Sequence, residues 1–177
     1  DDDVFRVFRL ARGATSWQSW NGAGSGGGAL ASRYVTSLAV NSVALLAGTA
    51  DGTGSGAGKV YRNTLGGPGW SNPGSAPDGL LYDVESLALD RSDRTGRSFL
   101  AGSRAFGVWR SIDDGRTWVQ KSNGGAASEV VQSTWSIGTV PGSAAAVIGQ
   151  AGAGLFRTTD IGASTPSWQK TSGLAAD

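Results

Sequence analysis

Asp83 and Glu85 stand two residues apart in the run Tyr82-Asp83-Val84-Glu85-Ser86-Leu87-Ala88-Leu89, whose alternation is that of a β-strand. Along an extended chain, residues i and i+2 share a face with Cα atoms roughly 6.5 to 7 Å apart. Hydrolysis of a glycosidic bond needs such a pair, with carboxyl groups about 5 Å apart for retention or about 6.5 to 9.5 Å for inversion, one of them raised in pKa by burial. Other covalent chemistry is scarce. The chain holds no cysteine and no histidine, which removes disulfides, thiol nucleophiles, Ser-His-Asp triads and zinc sites built on nitrogen and sulfur. Carboxylates, tyrosines, lysines, arginines and hydroxyls remain. Acidic residues at loop ends are commonly only solvated, so Asp83 and Glu85 are read as ligand contacts ahead of a catalytic pair.

These residues must be positioned by a chain of 177 residues and 17.9 kDa, with 39% hydrophobic and 16% charged residues. Twenty-nine glycines without a three-residue period point to a turn-rich all-β chain rather than to helices. A net charge of +1 with no basic patch argues against a nucleic-acid partner. No apolar stretch approaches the roughly 20 residues a membrane-spanning helix needs. Methionine is absent, initiator included, and the chain opens on Asp1-Asp2-Asp3 with no apolar signal segment, so it reads as processed, trimmed or excerpted.

Four stretches repeat an aromatic-Arg pair followed by Trp: Phe8-Arg9 with Trp17, Tyr61-Arg62 with Trp70, Trp109-Arg110 with Trp118, and Phe156-Arg157 with Trp168. Arg and Trp are eight residues apart in the first three and eleven apart in the fourth, where Ser164-Thr165-Pro166 reads as an insertion. A second landmark keeps nearly the same period: Ser37-Leu38-Ala39-Val40, Ser86-Leu87-Ala88-Leu89 and Ser136-Ile137-Gly138-Thr139 begin 49 and 50 residues apart. Within the best-defined unit, punctuation and alternation predict strands over 86–90, 98–103, 106–111 and 117–121. Four antiparallel strands per period of this length predict a β-propeller, whose blades bury one another's faces. The expected units are an outer half-blade over 4–20 and blades over 35–74, 84–124 and 134–172, all within a single propeller domain over 1–177. A β-sandwich with accidental turn similarity is the alternative.

The third unit reads Ser111-Ile112-Asp113-Asp114-Gly115-Arg116-Thr117-Trp118, a pattern S-x-D-x-G-x-T-W. It resembles the Asp-box, or bacterial neuraminidase repeat, of sialidases, xyloglucan-active glycosidases, the sortilin ectodomain and photosystem assembly factors. The fourth unit keeps a weaker form in Thr158-Thr159-Asp160-Ile161-Gly162 and Trp168, whereas the first two have Arg12 and Leu65 at the Asp position. In such a box the Asp accepts backbone N–H bonds at a tight turn, the Gly supplies a positive φ, and the Trp anchors the turn to the sheet. The resemblance therefore marks Arg110, Ser111, Asp113, Gly115, Thr117, Trp118, Arg157, Asp160, Gly162 and Trp168 as structural. A sialidase would also show an Arg-Ile-Pro element; Phe5-Arg6-Val7-Phe8-Arg9 lacks it.

Propellers have four to eight blades as a rule, so about three and a half leave the ring incomplete in this chain. The expectation is a fragment, or a chain completed by another chain, because an open ring leaves apolar faces and strand edges in water. Ligand residues of such folds lie opposite the box turns, just before each inner strand. Aligned on Ser37, Ser86 and Ser136, the third residue before is Tyr34, Asp83 and Ser133, and the residue before is Thr36, Glu85 and Trp135. Tyr34, Tyr82, Asp83, Glu85, Glu129 and Trp135 are the candidate ligand contacts. The glycine runs 22–28 and 52–58 lack the Gly-Lys-Ser/Thr ending of a phosphate cradle, and no cofactor or metal site is expected. Arg91, Arg94 and Arg97 with Asp90 and Asp93 read as a solvated hairpin tip. The favoured function is a non-catalytic module binding protein or glycan outside the cytoplasm. Part of a secreted glycoside hydrolase, xyloglucanase-like or sialidase-like, is the alternative.

Overall fold

A computed structural model describes residues 7–20, 30, 34–51, 58–65, 67, 69–71, 83–122 and 133–172. The described residues are all-β and form four antiparallel sheets, each made of strands consecutive in sequence. The first pairs β1 (Phe8–Arg9) with β2 (Gln18–Ser19). The second orders β3 (Tyr34–Val40), β4 (Ala44–Ala50) and β5 (Val60–Thr64), with Arg62 bridging to Ser71 in place of a fourth strand. The third holds β6 (Val84–Leu89), β7 (Phe99–Ser103), β8 (Gly107–Ser111) and β9 (Val119–Gln120). The fourth holds β10 (Thr134–Thr139), β11 (Ala146–Gln150), β12 (Gly154–Thr158) and β13 (Gln169–Lys170). This is an incomplete propeller. The third sheet lies within two residues of its expected strands at most ends, with β9 shorter because only Val119 and Gln120 find partners on β8.

Side chains of the middle strands alternate between the preceding and the following blade, so β7 is buried along its whole length. Ala47, Tyr61 and Trp70 face backward onto Val7. Leu46 and Val60 face forward onto Phe99, Trp109 and Trp118, and Leu100 and Val108 forward onto Phe156 and Trp168. Each junction is thus a two-sided apolar core. Burying a large side chain contributes about 1.5–3 kcal/mol, and these clusters repeat that gain at every blade.

Hydrogen bonds stitch the same junctions. Trp70 Nε1 donates to the Trp20 carbonyl at 2.6 Å, and Trp168 Nε1 to the Lys121 carbonyl at 2.8 Å, each acceptor lying three residues after the tryptophan of the preceding unit. Thr139 Oγ1 donates to the Leu89 carbonyl at 3.0 Å, and Thr36 Oγ1 to the Val84 carbonyl. Cross-strand pairs Ser37–Gly48, Ser86–Gly102 and Ser136–Gly149 occupy one position in three sheets. A Cβ on Gly48 would overlap Val84 of the next blade, and one on Gly102 would overlap the Thr134 carbonyl. Glycine there lets neighbouring inner strands close up.

Candidate functional site

In β3, β6 and β10 the ladder slips at one place: between Val35 and Ser37, between Val84 and Ser86, and between Thr134 and Ser136. The residues at these bulges are Thr36, Glu85 and Trp135. A bulge turns a side chain out of the regular alternation, so Asp83 and Glu85 do not share a face as simple strand periodicity predicts. Asp83 lies just before β6 and is 1% exposed, while Glu85 is half-buried. Trp135 is 64% exposed and Tyr34, heading β3, is 40% exposed. Tyr82 and Glu129 lie outside the described residues.

Asp83 is a junction post. Its Oδ1 accepts from the Asp51 N–H at 3.1 Å and the Gly58 N–H at 3.2 Å, both on the preceding blade, and its Oδ2 lies 3.5 Å from Arg104 Nη1. Gly58 is essential to this approach, because a Cβ there would overlap the Thr49 carbonyl and Asp83 itself. Arg104 also donates its N–H to the Asp83 carbonyl at 2.8 Å, and its own carbonyl accepts from Ser133 Oγ of the next blade. Burial pushes the Glu85 carboxyl above its usual value; the Arg104 charge opposes this and the Asp83 charge adds to it. The rim therefore offers one carboxyl tuned upward, one guanidinium and one open indole. Arg104 follows β7 with no motif around it, and sequence reasoning missed it.

On the outer turns, Asp113 Oδ1 accepts from the N–H groups of Arg116 (3.0 Å) and Thr117 (2.9 Å) and from Ser111 Oγ (2.8 Å), and its Oδ2 accepts from Thr117 Oγ1 at 2.7 Å. Ser111 Oγ in turn accepts from the Gly115 N–H at 2.9 Å, with Gly115 at φ +81°. Asp160 is held alike by Thr158 and by the Ser167 N–H at 3.0 Å. Gly162, however, does not take a positive φ. The Ser164-Thr165-Pro166 insertion moves the amide that closes the turn to seven residues beyond Asp160, so the backbone need not reverse so tightly. Trp118 and Trp168 are buried, Arg110 Nε donates to Asp90 Oδ2 at 2.8 Å, and Arg157 is exposed.

Arg91, Arg94 and Arg97 are exposed, as a solvated hairpin tip requires, but Asp90 is buried beneath them. Arg97 donates to Asp114 Oδ2 from Nε (3.1 Å) and Nη2 (2.9 Å), and Asn41 Nδ2 of the preceding blade donates to Asp114 Oδ1 at 2.9 Å. Arg62 Nε donates to the Asp114 carbonyl at 2.9 Å. Asp114 does all this at φ +61°, a left-handed conformation Asp tolerates better than most residues. In the second blade Asn63 closes the turn from inside instead, donating Nδ2 to the Gly69 carbonyl at 2.7 Å. No cluster of three or more His, Cys, Asp or Glu suited to a metal occurs among the described residues.

No family model and no curated protein matches the sequence. Solved structures do match the fold. A GH74 enzyme of Niastella koreensis superposes with a TM-score of 0.67 at 19% identity over 94% of this chain and 27% of that one. An ancestral GH74 enzyme gives 0.59 at 15% identity over 77% of this chain and 21% of its own. The computationally designed Ika8 protein gives 0.55 at 15% identity, covering 86% and 40%. GH74 enzymes are β-propellers; at these identities the likeness defines the fold class, an all-β propeller wall, and the chain spans about a quarter of the GH74 lengths. No helix among the described residues is long and apolar enough to cross a membrane.

Proposed function

We infer that this chain is a wall of a binding propeller that holds a glycan along the bulged ends of its inner strands. The observation that carries the reading is the bulge at one position in three successive inner strands, which turns Thr36, Glu85 and Trp135 out of the ladder. An exposed indole stacks on the C–H face of a sugar, while Glu85 and Arg104 accept from and donate to its hydroxyls. Tyr34 extends the rim. Asp83 sets the spacing from below, the Asp-box turns serve as folding devices on the outer side, and the ring is completed by further blades or another chain outside the cytoplasm.

Titration calorimetry of the full chain with xyloglucan oligosaccharides, mixed-linkage glucan oligosaccharides and sialosides tests this. One class is expected to bind saturably, with affinity reduced at least tenfold by Trp135→Ala; heat from none of them overturns the reading. Glycoside hydrolysis is the second reading, favoured by the raised Glu85 carboxyl. In it Glu85 is the proton donor, and the second carboxylate comes from beyond Asp83, whose Oδ1 is committed to two backbone amides. Reducing-sugar release abolished by Glu85→Gln would establish that reading instead.

A further inference from the structure

The last blade turns toward solvent one half of the junction that the chain builds between its second and third and between its third and fourth blades. At those inner junctions the forward-facing residues are Leu46 with Val60 and Leu100 with Val108, packed under Trp118 and Trp168 of the following blade. Their counterparts on the last blade are Val147 and Leu155. Leu46 and Leu100 are fully buried, but Val147 is 37% exposed and Leu155 half-buried. The arginines follow suit: Arg62 is buried with its Nε on the carbonyl of Asp114 in the next turn, Arg110 lies beside Gly162 of the next turn, and Arg157 is exposed.

The glycines complete the pattern. Gly48 and Gly102 make room for Val84 and Thr134, which stand at the head of the following inner strand. The three atoms nearest a Cβ on Gly149 belong to Ser136 and Leu155 of its own blade, and Gly149 lines an open groove of about 270 Å³ with Trp135, Gln150 and Leu155. Thr36 and Glu85, which occupy the Trp135 position but have a following blade, keep partial exposure. Filling the groove therefore leaves that position open to the rim.

We propose that this face docks one further four-stranded blade of the same repeat: a β-branched residue at the head of its inner strand seats over Gly149, an indole from its outer turn covers Val147 and Leu155, and a turn carbonyl accepts from Arg157. The proposal rests on the ring-completing part of the reading above and deepens it. A second copy of this chain fits less well. Its leading sheet offers Phe8 and Trp17, 51% and 66% exposed, but among the described residues it consists of β1 and β2 alone and brings no inner strand for the groove.

The test appends residues 128–172 to the full chain, which preserves the interval between Ser122 and Thr134 and supplies Thr134 and Trp168 a second time. With no native cysteine, Val147→Cys in the original copy is the single thiol, and Leu155→Cys is a second position should the first perturb folding. Maleimide labelling is expected to be at least tenfold slower in the extended chain than in the 177-residue chain. Arg157→Ala in the original copy should restore part of the rate in the extended chain and leave the shorter one unchanged. Equal labelling of both chains at both positions overturns the proposal. So does concentration-dependent protection of the 177-residue chain with a doubled mass by light scattering, which would make the occupant a second copy. Glycan binding is not read, so failure of the glycan assignment leaves this result standing.

Discussion

Asp113 and Glu85 are carboxylates with opposite environments. Burial opposes ionisation of Asp113, but bonds from Thr117, Ser111 and Arg116 outweigh it and hold its carboxyl below the ordinary value. Its contribution is therefore present above the unfolded-state pKa and lost as pH falls through the lower folded one. Asp113→Ala should cost about 1–3 kcal/mol in a denaturant titration at pH 7, because it strands amides in the turn, and the difference from the parent should shrink as pH falls through the lowered pKa. Glu85 runs the other way. Its raised pKa makes it stabilising below the unfolded value and a burden once pH passes the folded one, so Glu85→Gln should raise Tm at pH 7 and leave it unchanged near pH 4. Both acids were visible as residues; the Asp113 shift follows from donors within four residues of it, whereas the Glu85 shift follows from burial, which only the folded chain imposes.

The inner strand pair and the outer turn are the two elements that make a blade. Gly102→Ala tests the first: a Cβ meeting the backbone carbonyl of Thr134 has nowhere to go, and a loss of about 1–3 kcal/mol in chemical unfolding is expected. The hairpin joining β6 to β7 carries a further brace of that strand pair. Burial disfavours the Asp93 charge, yet donors from Thr95, Ser98 and Arg97 pull its pKa down to about 2. The hairpin should thus keep this brace down to that pH, and a carboxyl resonance titrating near 4 would disprove it. The Ser-Leu-Ala-Val landmark located the inner strands correctly, yet the bulge within them was not legible. Alternation places Asp83 and Glu85 on one face, and only the ladder to β7, which skips Glu85, separates them. The arginine-rich hairpin misled only at Asp90: its three arginines are exposed, but Asp90 is buried against Arg110, twenty residues on.

Across the whole molecule, each junction uses one blade's tryptophan to cap the previous blade's forward face. Lys121 adds a tie by donating Nζ to the Ala163 carbonyl at 2.6 Å, with burial lowering its pKa and the nearby Arg110 charge lowering it further. Lys121→Ala should loosen the last blade specifically, and hydrogen exchange should rise at β10–β13 more than at β3–β5. The sequence by itself determined the repeat, its period, the all-β class and the blade order, because those depend on local alternation and on turn residues a few positions apart. Tertiary structure alone decided that Asp83 is buried against the preceding blade while Glu85 is half-buried at a bulge, that Asn41 and Arg62 tie their blade to Asp114 of the next, and that Val147 and Arg157 are exposed where their counterparts are covered. Burial and partnership are relations between residues some fifty positions apart, and a propeller creates them only when one blade is laid against the next.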